Sequence, residues 1–120
     1  VYLCKMVPEV VYALSDKSIL PTNSRIIAFS AIGQPKEFYA FLQKDYKLSA
    51  VVDFEDHHDY ERTDIERLIR IAKKEKISNL VTTEKDAVKI DSLVDVNSLT
   101  VGFYALKLRA VLDLEEILNG

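Results

Sequence analysis

The chain has 120 residues, 48% of them hydrophobic, enough for one domain with a real core. Sixteen basic residues against nineteen acidic ones leave a formal charge of −3, with no basic run longer than Lys73-Lys74-Glu75-Lys76, which argues against a nucleic-acid partner held by phosphate neutralisation. The one cysteine, Cys4, stands far from both histidines, so an internal disulfide and zinc spacing are absent, a reducing compartment is expected, and no stretch approaches the roughly 20 apolar residues of a membrane-spanning helix.

Val1 to Leu14 is rich in Val, Tyr and Leu and is broken at Val7-Pro8-Glu9, which predicts two short strands meeting at a turn, a β-ribbon that serves as an appendage or linker. Ser15 to Ser24 carries loop residue types, with Ile19 and Leu20 to pin it down. A boundary is expected here, with residues 1–24 as ribbon and loop and 25–120 as an α/β lobe. The chain opens on Val1 inside an extended segment, so a longer protein is expected.

Arg25-Ile26-Ile27-Ala28-Phe29-Ser30 has the continuous apolar character of a central parallel strand. The Ala31 to Pro35 turn leads into a helix with Pro35 at its first position and Phe38, Phe41 and Leu42 on its buried face, ending near Asp45. Leu48 to Phe54 is the next strand. Thr63-Asp64-Ile65-Glu66 then fits a capping box, ahead of a helix with Ile65, Leu68, Ile69 and Ala72 as its stripe. Ser78 to Thr82 is a third strand, Thr83 to Ile90 a strand end passing into a short helix, Leu99 to Leu108 a fourth strand, and Leu112 to Asn119 a closing helix. Alternating strands and helices predict a three-layer α/β sandwich on a mostly parallel, Rossmann-like sheet.

The densest chemistry is Asp53-Phe54-Glu55-Asp56-His57-His58-Asp59, four carboxylates and both histidines at the end of a strand. An imidazole beside a carboxylate suits a general base near neutral pH. The same residues also read as a solvated polar turn, or as a manganese or zinc site of a metal-dependent phosphoesterase, although the chain has no further histidine to complete one. Thr82-Thr83-Glu84-Lys85-Asp86 reads in two ways as well. Thr83 and Lys85 can hold an anion at a helix N-terminus, or Thr83 caps the helix while Glu84 and Asp86 complement its dipole. Gly33 lies in no phosphate-cradling pattern, and three glycines with no G-x-x-x-x-G-K-[ST] leave this chain without a Walker loop.

Three stretches carry a family resemblance: Ala28 to Pro35 with Phe38, then Phe54-Glu55-Asp56-His57-His58, then Val81-Thr82-Thr83-Glu84-Lys85-Asp86-Ala87-Val88-Lys89. In this order and spacing the chain resembles the C-terminal half of the tetraacyldisaccharide 4′-kinase family, from lipid A biosynthesis in Gram-negative bacteria. The Val7-Pro8 turn fits the segment before that lobe. At the first position of the family's usual Ala-Gly-Ile-Gly this chain has Ser30-Ala31-Ile32-Gly33.

The resemblance implies a lobe of a two-lobe kinase that transfers the γ-phosphate of ATP to the 4′-hydroxyl of a tetraacyldisaccharide 1-phosphate. His57 would be the catalytic base and Asp56 its orienting partner, with His58 in a lesser role. Thr83 and Lys85 would be candidate nucleotide contacts. ATP and Mg2+ would bind mainly through an N-terminal P-loop lobe that this chain lacks, so the chain alone is expected to be inactive. The partners implied are that lobe, the lipid disaccharide and the membrane surface, at the cytoplasmic face of the inner membrane, with no nucleic acid. A non-enzymatic Rossmann-like binding module is the remaining alternative.

Overall fold

In the computed structural model, which describes residues 4–112, the apolar run Arg25–Ser30 is the strand β2 inside the sheet. Ile26 to Ser30 are all buried, as a parallel strand covered on both faces requires. Strand β3 (Lys47–Asp53) pairs parallel on one side of it and β4 (Asn79–Thr83) parallel on the other. Beyond β4 lies β5 (Gly102–Leu112), also parallel, and β1 (Cys4–Ala13) closes the sheet antiparallel to β5. The order is β1-β5-β4-β2-β3.

Alternation along β2 feeds two apolar layers. Ile26 and Ala28 meet Phe38 and Leu42 of helix α1 (Pro35–Asp45) on one face. Ile27 and Phe29 meet Ile65, Leu68 and Ala72 of α2 (Arg62–Glu75) and Ile90 of α3 (Glu84–Leu93) on the other. Each of the Ile, Leu and Phe side chains here, fully buried, contributes about 1.5–3 kcal/mol relative to exposure. The expected three-layer α/β sandwich on a mostly parallel sheet is therefore the fold, with one antiparallel strand added.

Several local expectations are corrected. Val7-Pro8-Glu9 does not separate two strands: Cys4–Ala13 is one strand, and its register shifts between Pro8 and Val10. A bulge on an edge strand accepts Pro8 because the ladder there needs no N–H from it. β5 pairs with β4 only over Gly102 to Leu106 but with β1 out to Leu112, so Cys4 to Val10 and Lys107 to Leu112 run on as a two-stranded ribbon. Helix α2 begins at Arg62 with Glu61 as its cap, and Asp64 Oδ2 accepts the Glu61 N–H at 2.9 Å. The reciprocal cap is thus two residues earlier than Thr63 and Glu66. The last strand starts at Gly102, after a 3-10 turn at Val96–Ser98. Leu112 ends β5, and the remainder of the helix expected to Asn119 lies outside the described residues. In the loop before β2, Leu20 is buried and Ile19 bridges to Tyr12 with its side chain exposed.

Candidate functional site

The chain leaves β2 through α1 to reach β3, and then crosses back through α2 to β4 on the other side of β2. Such a reversal opens a crevice at the carboxyl ends of the two inner strands. The β2–β4 ladder pairs Ile27 with Leu80 and Ala28 with Val81. Above it, side chains replace the ladder: Thr82 Oγ1 donates to the Phe29 carbonyl at 2.8 Å, and Asp86 Oδ2 accepts the Ala31 N–H at 3.1 Å.

The histidine loop hangs from the same edge. The Phe54 N–H donates to the Ser30 carbonyl at 2.9 Å, and the His57 N–H donates to the Ala31 carbonyl at 3.2 Å. His57 has φ 62°, in the left-handed region that non-glycine residues seldom occupy. Its side chain is 74% exposed, with Nε2 3.7 Å from Asp56 Oδ1, beyond hydrogen-bonding distance but within electrostatic reach. Gly33 closes in on the same carboxylate: a Cβ there would stand 3.1 Å from Asp56 Oδ2. The Gly33 turn, which carries no phosphate-cradling pattern, therefore bounds the position of Asp56.

His58 turns the other way. Its Nε2 lies 2.8 Å from Asp64 Oδ2, its ring stacks on Phe54 with centroids 5.0 Å apart, and it meets Tyr60 edge-on. Burial alone would raise the Asp64 carboxyl, but the Glu61 N–H and the His58 imidazole hold it below its ordinary range. Of the adjacent histidines, one is tied into the fold and the other faces solvent.

The Thr83 to Lys89 segment divides similarly. Thr83 caps α3: its Oγ1 accepts the Asp86 N–H at 3.1 Å and donates to Asp86 Oδ2 at 2.8 Å. Lys85 is exposed, with no hydrogen-bond or ion-pair partner among the described residues, on the rim of a groove of about 410 Å3 lined by Met6, Ile32, Phe38, Phe41, Leu106 and Leu108. Asp86 is fully buried, and the Tyr60 hydroxyl, pushed upward in pKa first by burial and then by Asp86, lies against it. Neither Asp86 Oδ1 nor Tyr60 OH has a partner in hydrogen-bonding geometry. Lys89 Nζ donates to the His58 carbonyl at 3.1 Å.

Beside the crevice, the Tyr39 hydroxyl of α1 donates to Asp53 and lies 2.9 Å from Ser30 Oγ. Burial, then the Asp53 bond, raises its pKa, so it remains a neutral donor. Asp64, Asp86, Lys89 and Tyr39 were not singled out as site residues in the sequence. Asp86 and Lys89 do stand inside the motif that carries the resemblance, which was the available signal. Among the described residues no group of three or more His, Cys, Asp or Glu side chains converges for a metal ion.

Fold and site together define a Rossmann-like α/β protein that presents an exposed imidazole and a carboxylate at the carboxyl edge of its sheet. The family model described as Tetraacyldisaccharide-1-P 4'-kinase matches residues 2–120, and the chain belongs to that family. It is 32% identical over 104 residues to the tetraacyldisaccharide 4'-kinase of Halothermothrix orenii, covering 81% of this chain and 27% of that protein. To the tetraacyldisaccharide 4'-kinase of Chelativorans sp. it is 40% identical over 94 residues, 76% of this chain and 27% of the relative. Among solved structures, LpxK from Aquifex aeolicus in complex with ATP superposes with a TM-score of 0.57 at 22% identity, over 98% of this chain and 33% of that one, which establishes a shared fold. The chain thus spans about 27% of the length of these curated relatives.

Proposed function

We propose that this chain is the C-terminal α/β lobe of a two-lobe lipid A disaccharide kinase, and that His57 is its general base. In this reading residues 25–120 form the lobe, and residues 1–24 supply the ribbon strand and loop that lead to an N-terminal P-loop lobe. The whole enzyme transfers the γ-phosphate of ATP to the 4′-hydroxyl of a tetraacyldisaccharide 1-phosphate at the cytoplasmic face of the inner membrane of a Gram-negative bacterium. The lobe alone is inactive. No helix among the described residues is long and apolar enough to cross a membrane, so contact with the bilayer is assigned to the surface of the full-length protein.

The observation that carries the reading is the exposed His57 ring beside Asp56, on a loop whose backbone is bonded to the β2 turn. Phosphoryl transfer is governed by positioning and by charge stabilisation. His57 takes the proton of the sugar hydroxyl as its oxygen approaches the γ-phosphorus. Asp56, 3.7 Å from Nε2, stabilises the imidazolium that forms. His58, spent on Asp64, takes no proton from substrate.

The described residues do not make a triphosphate site. The Thr83 hydroxyl is engaged twice by Asp86, and no glycine-rich cradle precedes α3. ATP and Mg2+ are therefore assigned mainly to the N-terminal lobe, with exposed Lys85 favoured over Thr83 as a contact to an anionic group. Replacing His57 with Ala in the full-length enzyme is expected to lower kcat by about 10²–10⁴-fold without shifting thermal unfolding. Undiminished turnover of the disaccharide overturns the assignment.

A further inference from the structure

We infer that α3 acts through the backbone on the proposed base, with Asp86 and Lys89 as positioning residues that hold the His57 loop from its two sides. This rests on the reading of His57 as the base. On the N-terminal side the chain of bonds is short. Asp86 Oδ2 accepts the Ala31 N–H at 3.1 Å, and the carbonyl of the same residue accepts the His57 N–H at 3.2 Å. Ala31 therefore has its donor fixed by α3 and its acceptor fixed on His57. On the C-terminal side, Lys89 Nζ donates to the carbonyl of His58, the next residue.

Asp86 and Lys89 stand three residues apart on α3 and so share a face of that helix. That helix is itself started by Thr83, whose hydroxyl bonds both the backbone and the carboxylate of Asp86. His57 sits at φ 62° as the third residue of a turn closed by the His58 N–H on the Glu55 carbonyl at 3.0 Å, and the two bonds from α3, one of them through Ala31, fix that turn. Lys89 bonds the 58–59 peptide, while the 57–58 peptide is tied within the loop by the His58 N–H to the Glu55 carbonyl, so loss of Lys89 releases the C-terminal end of the turn that carries the imidazole. The exposed ring has no side-chain contact to hold it instead, since Asp56 lies 3.7 Å away.

The segment that the sequence offered as an anion cradle thus serves first as a support for the histidine loop. Lys85, facing the groove, is not part of it. A misplacement of about 1 Å at a reacting group costs on the order of 10²-fold in rate, so loss of the grip registers in turnover.

The test uses the full-length kinase with four variants: Lys89→Met, Lys89→Arg, His57→Ala and the Lys89→Met/His57→Ala double. Met keeps the apolar stem and removes the donor, whereas Arg restores one. Lys89→Met is expected to lower kcat by about 10–100-fold with KM for the disaccharide changed less than about threefold, and Lys89→Arg to recover most of the loss. In the His57→Ala background Lys89→Met is expected to cost nothing more, because the group it positions is gone. Asp86→Ala is the parallel variant, but loss of a buried acceptor threatens folding, so Lys89 carries the experiment. Full turnover in Lys89→Met, an effect confined to KM, or an undiminished loss in the His57→Ala background overturns the positioning role while leaving the base in place. Unchanged turnover in His57→Ala alone overturns the base assignment, and the positioning role falls with it.

Discussion

His58 Nε2 and Asp64 Oδ2 lie 2.8 Å apart, and the same carboxylate oxygen takes the N–H of Glu61 at the start of α2. Two adjacent histidines therefore have separable effects. His58→Ala removes a stacked ring and a hydrogen bond to a carboxylate, and is expected to destabilise the chain by about 1–3 kcal/mol in chemical denaturation. His57→Ala, at an exposed position, is expected to stay within about 0.5 kcal/mol of the parent. Equal destabilisation by the two would contradict this division.

The Asp64 carboxyl sits below its ordinary value of 3.8 in the folded state. The unfolded chain then binds the proton more tightly, so stability rises with pH through this window, is fully present above about pH 4, and is lost as pH falls through the depressed folded value. Replacing Asp64 with Asn is expected to cost about 1 kcal/mol at pH 7 through the lost charge at the helix start. The gap between parent and variant, measured by urea midpoints from pH 7 to pH 2, is expected to close below pH 4. A constant gap down to pH 2 would show that charge is not its source.

Asp86→Ala leaves the buried Ala31 N–H and the partly buried Thr83 hydroxyl without their acceptor. The expected cost is about 3 kcal/mol, while Asp86→Asn, which keeps one acceptor oxygen, is expected to cost less than half of that. Comparing both unfolding midpoints checks the order.

Gly33→Ala probes the other side of the loop. The new Cβ meets Asp56 Oδ2 at 3.1 Å, but that side chain is 48% exposed and can rotate away. Stability is therefore expected to change by less than about 0.5 kcal/mol, and kcat of the full-length enzyme to fall by several fold, as Asp56 turns from His57. Wild-type kcat here would mean that Asp56 contributes little to the imidazolium.

What the sequence made legible follows how local each feature is. The buried run Ile26 to Ser30 and the Pro35 helix start were readable because hydrophobic continuity and a proline at the first turn are local signals. Two expectations fail for equally physical reasons. Proline lacks an N–H and so suggests a break at Pro8, yet on an edge strand at a bulge none is required. Residue type suggests Thr63 as the cap of α2, whereas Glu61 and Asp64 perform the reciprocal bonding two residues earlier. Asp86 does stand in the first turn of α3, as an acid that complements the helix dipole should, but its bond to the Ala31 N–H, 55 residues away, is recorded by no local pattern. The same holds for Asp64, whose bond to His58 separates the two histidines only once α2 has packed.

The bonds that flank His57 have a further consequence in the order of synthesis. Ala31 and His58 leave the ribosome well before Asp86 and Lys89, their partners, which lie 55 and 31 positions further on. A nascent chain that ends before α3 carries its imidazole on an unsupported loop. The ties from α3 to this edge therefore form late in synthesis, and the edge that carries His57 is complete only when β4 and α3 have docked.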